Sequence, residues 1–215
     1  MRRCVALLGG SFDPVHNGHV ALGRYFATLL VPDELRVVPA GKPWQKTGLH
    51  ASAEHRVAMV EIAFGGMPVP VVIDRLEILR DTPTYTIDTL RAVRAELGPD
   101  TSIAFLIGAD QLQHLHTWKE WRQLFDYAHI CAASRPGFSM DPAHVSDEVG
   151  REFARRAAPP QQIRETPHGL ACIASNLEVD ISATHIRAAL ERGVLPEALI
   201  PPGVLDYIQQ HHLYT

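Results

Sequence analysis

This 215-residue chain has little cysteine, no excess of positive charge and no long apolar run, and each shortage argues against a class of protein. Its three cysteines, Cys4, Cys131 and Cys172, are odd in number, far apart and each set in an apolar, strand-like stretch. With no C-x-x-C pair, the pattern argues against a zinc ribbon or a redox dithiol, and buried reduced thiols are expected. Lys and Arg total 20 against 24 Asp and Glu, a net charge of −4. That balance argues against the basic face needed for non-specific nucleic-acid binding, and it leaves room for a local basic pocket that takes a phosphorylated small molecule. The longest apolar stretches, such as 69–73, fall far below the roughly 18 residues of a membrane span, so no membrane partner is expected. The apolar run after Arg2-Arg3 stops at Gly9-Gly10. It is too short for a secretory signal, and a cytoplasmic location is the expectation. Two familiar phosphate-binding signatures are also missing, G-x-x-x-x-G-K-[ST] and G-x-G-x-x-G.

What is present is a globular composition, 46% hydrophobic and 20% charged, which supports a sizeable core and excludes disorder. The length allows a single domain over 1–215. Apolar runs at 4–8, 35–38, 69–73, 102–107, 129–133 and 170–174 read as strands. Segments 19–30, 53–64, 86–97, 182–192 and 204–211 read as helices. In the first of these, Leu22, Phe26, Leu29 and Leu30 form the expected inward stripe. Strands alternating with helices predict an α/β fold with a parallel sheet covered on both faces. Ligands of such sheets sit outside the carboxyl ends of the strands. The stretch 137–168 is the least regular and is expected to be a helix-containing excursion from the sheet.

After the first strand comes Gly9-Gly10-Ser11-Phe12-Asp13-Pro14-Val15-His16-Asn17-Gly18-His19. Gly9 and Gly10 lack a Cβ and let a ligand approach the backbone, Ser11 adds a hydroxyl and an N–H, and Asp13-Pro14 signals a turn. His19 is expected to open the first helix, whose unpaired N–H groups and dipole favour an anion. His16 lies three residues earlier, so one turn would bring both imidazoles to the same side. A neutral imidazole N–H already donates to a phosphate oxygen, and charge developing on that oxygen strengthens the bond. A metal is the other reading of paired histidines, but no third ligand stands nearby, and no dedicated metal site is expected.

Near the other end stands Ile181-Ser182-Ala183-Thr184-His185-Ile186-Arg187. Ser182 is placed to cap a helix, with Thr184 in its first turn, Arg187 one turn on, and Ile186, Ala189 and Leu190 inward. Alone, this is a capped amphipathic helix. Two hydroxyls and a guanidinium at a helix N-terminus also make an anion site.

Together the two motifs resemble the G-x-F-D-P-x-H-x-G-H and I-S-x-T-x-x-R signatures of the nucleotidyltransferase superfamily. The resemblance implies a doubly wound, mostly parallel α/β fold of Rossmann-like type and nucleotidyl transfer at the α-phosphate of a nucleoside triphosphate. It puts His16 and His19 on the triphosphate, Gly9, Gly10, Ser11 and Phe12 on the ATP side, and Ser182, Thr184 and Arg187 on the β,γ-phosphates. Ala183 stands where many relatives have Ser.

Three further features occur in order: Pro83-Thr84-Tyr85-Thr86 before a helix, Ile107-Gly108-Ala109-Asp110 followed by Thr117-Trp118, and Ser134-Arg135-Pro136-Gly137. They are similar to the bacterial nicotinate-nucleotide adenylyltransferases, as is the ending through Ile200-Pro201-Pro202 and Leu213-Tyr214. By that resemblance Thr86 and Trp118 hold the nicotinate ring, Arg135 lies by the nicotinate nucleotide, and Gly108 and Asp110 lie on the adenosine side. A flat indole face suits a pyridinium ring, with core packing the alternative for Trp118. Helix capping is the alternative for Asp110 and Thr86. Loop 40–51 carries Lys42 and Lys46. Relatives often read Pro-x-His-Lys where this chain has Pro43-Trp44-Gln45-Lys46, so Lys46 keeps the charge and Gln45 departs. Arg56 matches a recurrent basic position.

The reaction so implied joins ATP and nicotinate mononucleotide into deamido-NAD and pyrophosphate by direct in-line attack. His16, His19, Lys46 and Arg187 would neutralise developing charge, with Mg²⁺ held mainly by triphosphate oxygens and water. The alternatives are another phosphorylated acceptor, nicotinamide mononucleotide or phosphopantetheine, and a nucleotide sensor without turnover. Both motif histidines are present, which argues against the sensor. The oligomeric state is unspecified, with a homodimer left open.

Overall fold

The computed structural model describes residues 2–42, 48–134, 145–175, 177 and 181–215. Along the chain come β1 (Cys4–Gly10), α1 (Asn17–Leu30), β2 (Glu34–Pro39), α2 (Ala53–Phe64), β3 (Val71–Ile73), α3 (Thr86–Leu97), β4 (Ser102–Gly108) and α4 (Ala109–Gln113). Two 3₁₀ segments, Leu115–Thr117 and Trp121–Asp126, lead to β5 (His129–Ser134). Then follow α5 (Asp147–Arg156), α6 (Pro160–Glu165), β6 (Ala171–Ser175), α7 (Ala183–Glu191) and α8 (Pro202–Gln210).

The six strands pair in parallel as one sheet, ordered β3-β2-β1-β4-β5-β6. Successive strand side chains point to opposite faces, and both faces here are dry. Ala6, Leu8, Leu35, Val37, Ala104, Leu106, Cys131 and Cys172 face a core completed by α1, α2, α7 and α8. Leu7, Val38, Ile103, Phe105, Ile107, Ile130 and Ala132 face a second core built with α3, α5 and the 3₁₀ segments. Burial on both faces explains why the strands read as continuous apolar runs rather than alternating ones. The three cysteines are free thiols inside these layers, as expected.

Helix boundaries follow local chemistry. The Ser52 hydroxyl accepts the His55 N–H and starts α2, and Gly98, at φ 81°, stops α3. Three expectations need correction. The first helix starts at Asn17, with His16 at the N-cap and His19 inside the first turn, so His19 does not open it. Leu29 is 36% exposed. The buried stripe of α1 runs through Leu22, Gly23, Phe26, Ala27 and Leu30, which leaves Leu29 at its margin on the last turn. Strand β3 begins at Val71, not at 69; Val71, Val72 and Ile73 are in register with Leu35, Arg36 and Val37 of β2. Of the stretch 137–168, the described part carries α5 and α6, which link β5 to β6.

Candidate active site

The strand order sets β1 beside β4, while the chain proceeds from β1 toward β2 and from β4 toward β5. Loops leaving two neighbours in opposite directions open a crevice at their carboxyl ends. A cavity of about 330 Å³ lies there. It brings together Gly9, Gly10, Ser11, His16 and His19 at and beyond the end of β1, Gly108 and Asp110 at and beyond the end of β4, and Thr86 and Trp118 from the flanking segments.

His16 and His19 are stacked, ring centroids 3.7 Å apart and 25° between planes, so the predicted juxtaposition forms. The His16 backbone N–H donates to His19 Nδ1 at 3.2 Å. A neutral ring that accepts at Nδ1 carries its proton on Nε2. His19 is therefore held in one tautomer by the chain itself. Beneath it lies Phe12, edge-on at 4.9 Å. Phe12 is fully buried and does not line the cavity, and its backbone takes φ 49°, a region costly for a side chain of this size. Gly10 shows why this is tolerated: a Cβ there would stand 3.0 Å from the Phe12 ring. The missing Cβ of Gly10 thus makes room for Phe12, and Gly10 also lines the cavity with Gly9.

Asp13 ties the first motif to three distant segments. Its buried carboxylate accepts the His50 N–H at 2.7 Å, the Ala51 N–H at 3.0 Å and the Tyr214 hydroxyl at 2.7 Å. Burial, with the Asp13 hydrogen bond and charge, pushes the Tyr214 hydroxyl pKa up, while Arg187 and Arg56 oppose the shift. Arg187 Nη1 donates to the Asp13 carbonyl at 2.6 Å and Nη2 to the Thr184 hydroxyl at 3.3 Å. The second motif is thereby locked onto the first. Ile181 lines the cavity, whereas Ser182, Thr184 and Arg187 do not. Ser182 occupies the N-cap position of α7, but its hydroxyl makes no capping hydrogen bond, contrary to expectation.

Thr86 is the first helical residue of α3, after Tyr85 at the N-cap, so it does not cap. Asp110 lies in the first turn of α4, where Gly108 holds the N-cap position and donates its N–H to Gln111 Oε1 at 3.2 Å. Trp118 is half-buried, edge-on to Phe105 at 6.3 Å, with surface facing the cavity. Lys42 Nζ donates to the Asp81 carbonyl at 3.1 Å. Lys46, Gln45 and Arg135 lie outside the described residues.

Arg56 is only 1% exposed, and its Nη1 donates to the Ser11 carbonyl at 2.8 Å, so it braces the first motif from behind. Burial lowers its pKa, opposed by the charges of Asp13, Tyr214 and Glu77. Sequence reasoning missed Glu77, Thr89 and Phe105, which also line the cavity. The only signal for Glu77 is an acid set between Leu76 and Ile78 where no helical period supports it.

Paired imidazoles and the half-buried Trp118 thus line one cavity of a parallel α/β fold. The chain belongs to the cytidylyltransferase-like family, which matches residues 7–189. A curated relative from Herminiimonas arsenicoxydans, "Probable nicotinate-nucleotide adenylyltransferase", is 69% identical over 99% of this chain and 97% of its own. One of the same name from Chromobacterium violaceum is 42% identical over 100% of both. Among solved structures, a nicotinic acid mononucleotide adenylyltransferase of Plasmodium falciparum, complexed with NaAD, superposes with a TM-score of 0.75. It covers 99% of this chain and 98% of its own at 20% identity, a likeness of fold.

Proposed function

We propose that this chain transfers the adenylyl group of ATP to the 5′-phosphate of nicotinate mononucleotide, giving deamido-NAD and pyrophosphate. The observation that carries the reading is the joining of the two histidines, the Gly9 to Ser11 backbone, the turn at Gly108 and Asp110, and the Thr86 and Trp118 pair around one cavity. Relatives of the same named activity over the full chain length support it.

The attacking phosphate oxygen is already ionised, so no general base is required. It bonds to the α-phosphorus of ATP as the bond to the bridging oxygen breaks, and pyrophosphate leaves with the electron pair. Catalysis is then positioning plus charge stabilisation. His19, its proton held on Nε2, donates to a phosphate oxygen, with His16 stacked beside it. Arg187, Ser182 and Thr184 serve the β,γ-phosphates, and Lys46 and Arg135 add positive charge on the phosphates and the acceptor. Gly108 and Asp110 serve the adenosine, with the Asp110 carboxylate on the ribose. Mg²⁺ would neutralise triphosphate charge. Among the described residues, no group of three His, Cys, Asp or Glu side chains is arranged to hold a metal ion. In this reading the cation is carried by phosphate oxygens and water.

Trp118 offers a face to the pyridinium ring. The Tyr85 side chain does not cap α3, so the first-turn amides at Thr86 and Ile87 lack helical partners. Amides and dipole at that end favour the nicotinate carboxylate over a neutral carboxamide. A cytoplasmic location belongs to this reading. Among the described residues, no helix is long and apolar enough to cross a membrane.

The test is an end-point assay with ATP, Mg²⁺ and one of three acceptors: nicotinate mononucleotide, nicotinamide mononucleotide or phosphopantetheine. Pyrophosphate release and a product of deamido-NAD mass, with nicotinate mononucleotide strongly preferred, are expected. Turnover only with another acceptor would refute the acceptor assignment, and ATP binding without turnover would refute the transferase reading.

A further inference from the structure

Glu77 stands in the cavity wall and has no part in the chemistry above. Its carboxylate accepts the Thr89 hydroxyl at 2.6 Å; burial pushes its pKa up, and the neighbouring Thr84 hydroxyl and Gly41 backbone N–H favour its charged form. The three donors belong to different segments: Gly41 follows β2, Thr84 precedes α3, and Thr89 lies within α3. Gly41 runs so close to Glu77 that a Cβ on it would stand 2.0 Å from the Glu77 carbonyl oxygen. The same segments are joined again where the Thr84 N–H donates to the Lys42 carbonyl at 2.9 Å. From the outer side, Arg80 reaches the Thr89 hydroxyl at 3.4 Å and the Asp88 carbonyl at 3.2 Å.

Gly41 has left the sheet, and Thr84 has not yet entered the helix. Bonds to an ionised carboxylate are the strong ones. Thr84 and Thr89 are 5% and 3% exposed, and loss of the carboxylate takes the acceptor from the Thr89 hydroxyl. Thr86 sits between these two tied residues. The ATP side is built from other elements, the turns after β1 and β4.

We propose that Glu77 is a positioning residue for the acceptor nucleotide: by gathering Gly41, Thr84 and Thr89 it sets the N-terminus of α3 where the nicotinate ring is received. The assignment rests on the function proposed above. It separates Glu77 from a merely structural acid, whose loss would lower stability and affect both substrates alike.

The test is steady-state kinetics on the full chain, varying each substrate at saturation of the other, with wild type, Glu77→Ala, Glu77→Gln and Thr84→Val. Glu77→Ala is expected to raise KM for nicotinate mononucleotide about tenfold or more, with KM for ATP changed less than about twofold. Glu77→Gln keeps the size but turns an N–H toward the donors, and should fall in between. Thr84→Val, nearly isosteric, should raise the same KM a few-fold and serves if Glu77→Ala does not fold. A parallel rise in both KM values, or unchanged KM values in the Gln and Val variants, overturns the assignment alone. Wild-type protein that fails to turn over nicotinate mononucleotide overturns the proposed function, and this assignment with it.

Discussion

Lowering the pH should destabilise this protein through His129, a group outside the active site. His129 is fully buried at the start of β5. Its Nδ1 accepts the Leu170 N–H at 3.1 Å, so the neutral ring donates from Nε2 to the Thr166 carbonyl at 2.9 Å. A second ring proton would point at the Leu170 amide, donor against donor. Burial, above all, holds its pKa down from 6.5 to about 4; His168 and Arg94 add to this, and the bond to Thr166 opposes it. Between those values the unfolded chain binds the proton and the folded chain does not. Stability from this group is therefore complete above pH 6.5 and is lost as pH falls toward 4. At 1.36 kcal/mol per pH unit, the loss over that window is about 3 kcal/mol. Urea unfolding at pH 7.5, 6.5, 5.5 and 4.5 should be compared with His129→Gln, which cannot ionise but can donate to Thr166 and accept from Leu170. Other carboxylates and histidines titrate alike in both proteins and cancel in the difference. The wild type should lose on the order of 2–3 kcal/mol more than the variant between pH 6.5 and 4.5. Parallel pH profiles would refute the reasoning.

His19→Ala should cut turnover about 100-fold or more while the urea midpoint moves little. A folded variant with wild-type turnover would sink the role given to His19. Arg36, 6% exposed, joins Glu34 at 2.8 Å, Glu96 at 2.8 Å and Asp74 at 3.3 Å. Arg36→Met would leave the Glu34 carboxylate buried without this partner and should cost about 3 kcal/mol in urea unfolding; a loss below about 1 kcal/mol would show that the network relaxes.

The α/β class and the meeting of His16 and His19 were legible because they rest on local chemistry. Continuous apolar runs mark strands covered on both faces, and Gly, Pro and Ser mark turns and caps. His16 and His19 lie three residues apart, at the N-cap and in the first turn of α1, so their approach from the same side was legible, while the stacking of the rings was not. Leu29 shows the limit of that reading: a helical period marks a stripe but not where its margin meets the sheet.

The amino-acid sequence by itself determined the strand and helix alternation, the pairing of His16 and His19 after β1 and the family resemblance, since each depends on neighbours within about one turn or on short motifs. Only the tertiary structure decided that Gly10 makes room for Phe12 and that Asp13 holds both Arg187 and Tyr214. It alone brought Glu77 against Gly41, Thr84 and Thr89. Those partners stand up to 201 residues apart. No local period or motif encodes such pairings, which arise when a parallel sheet carries the ends of distant loops to the same edge.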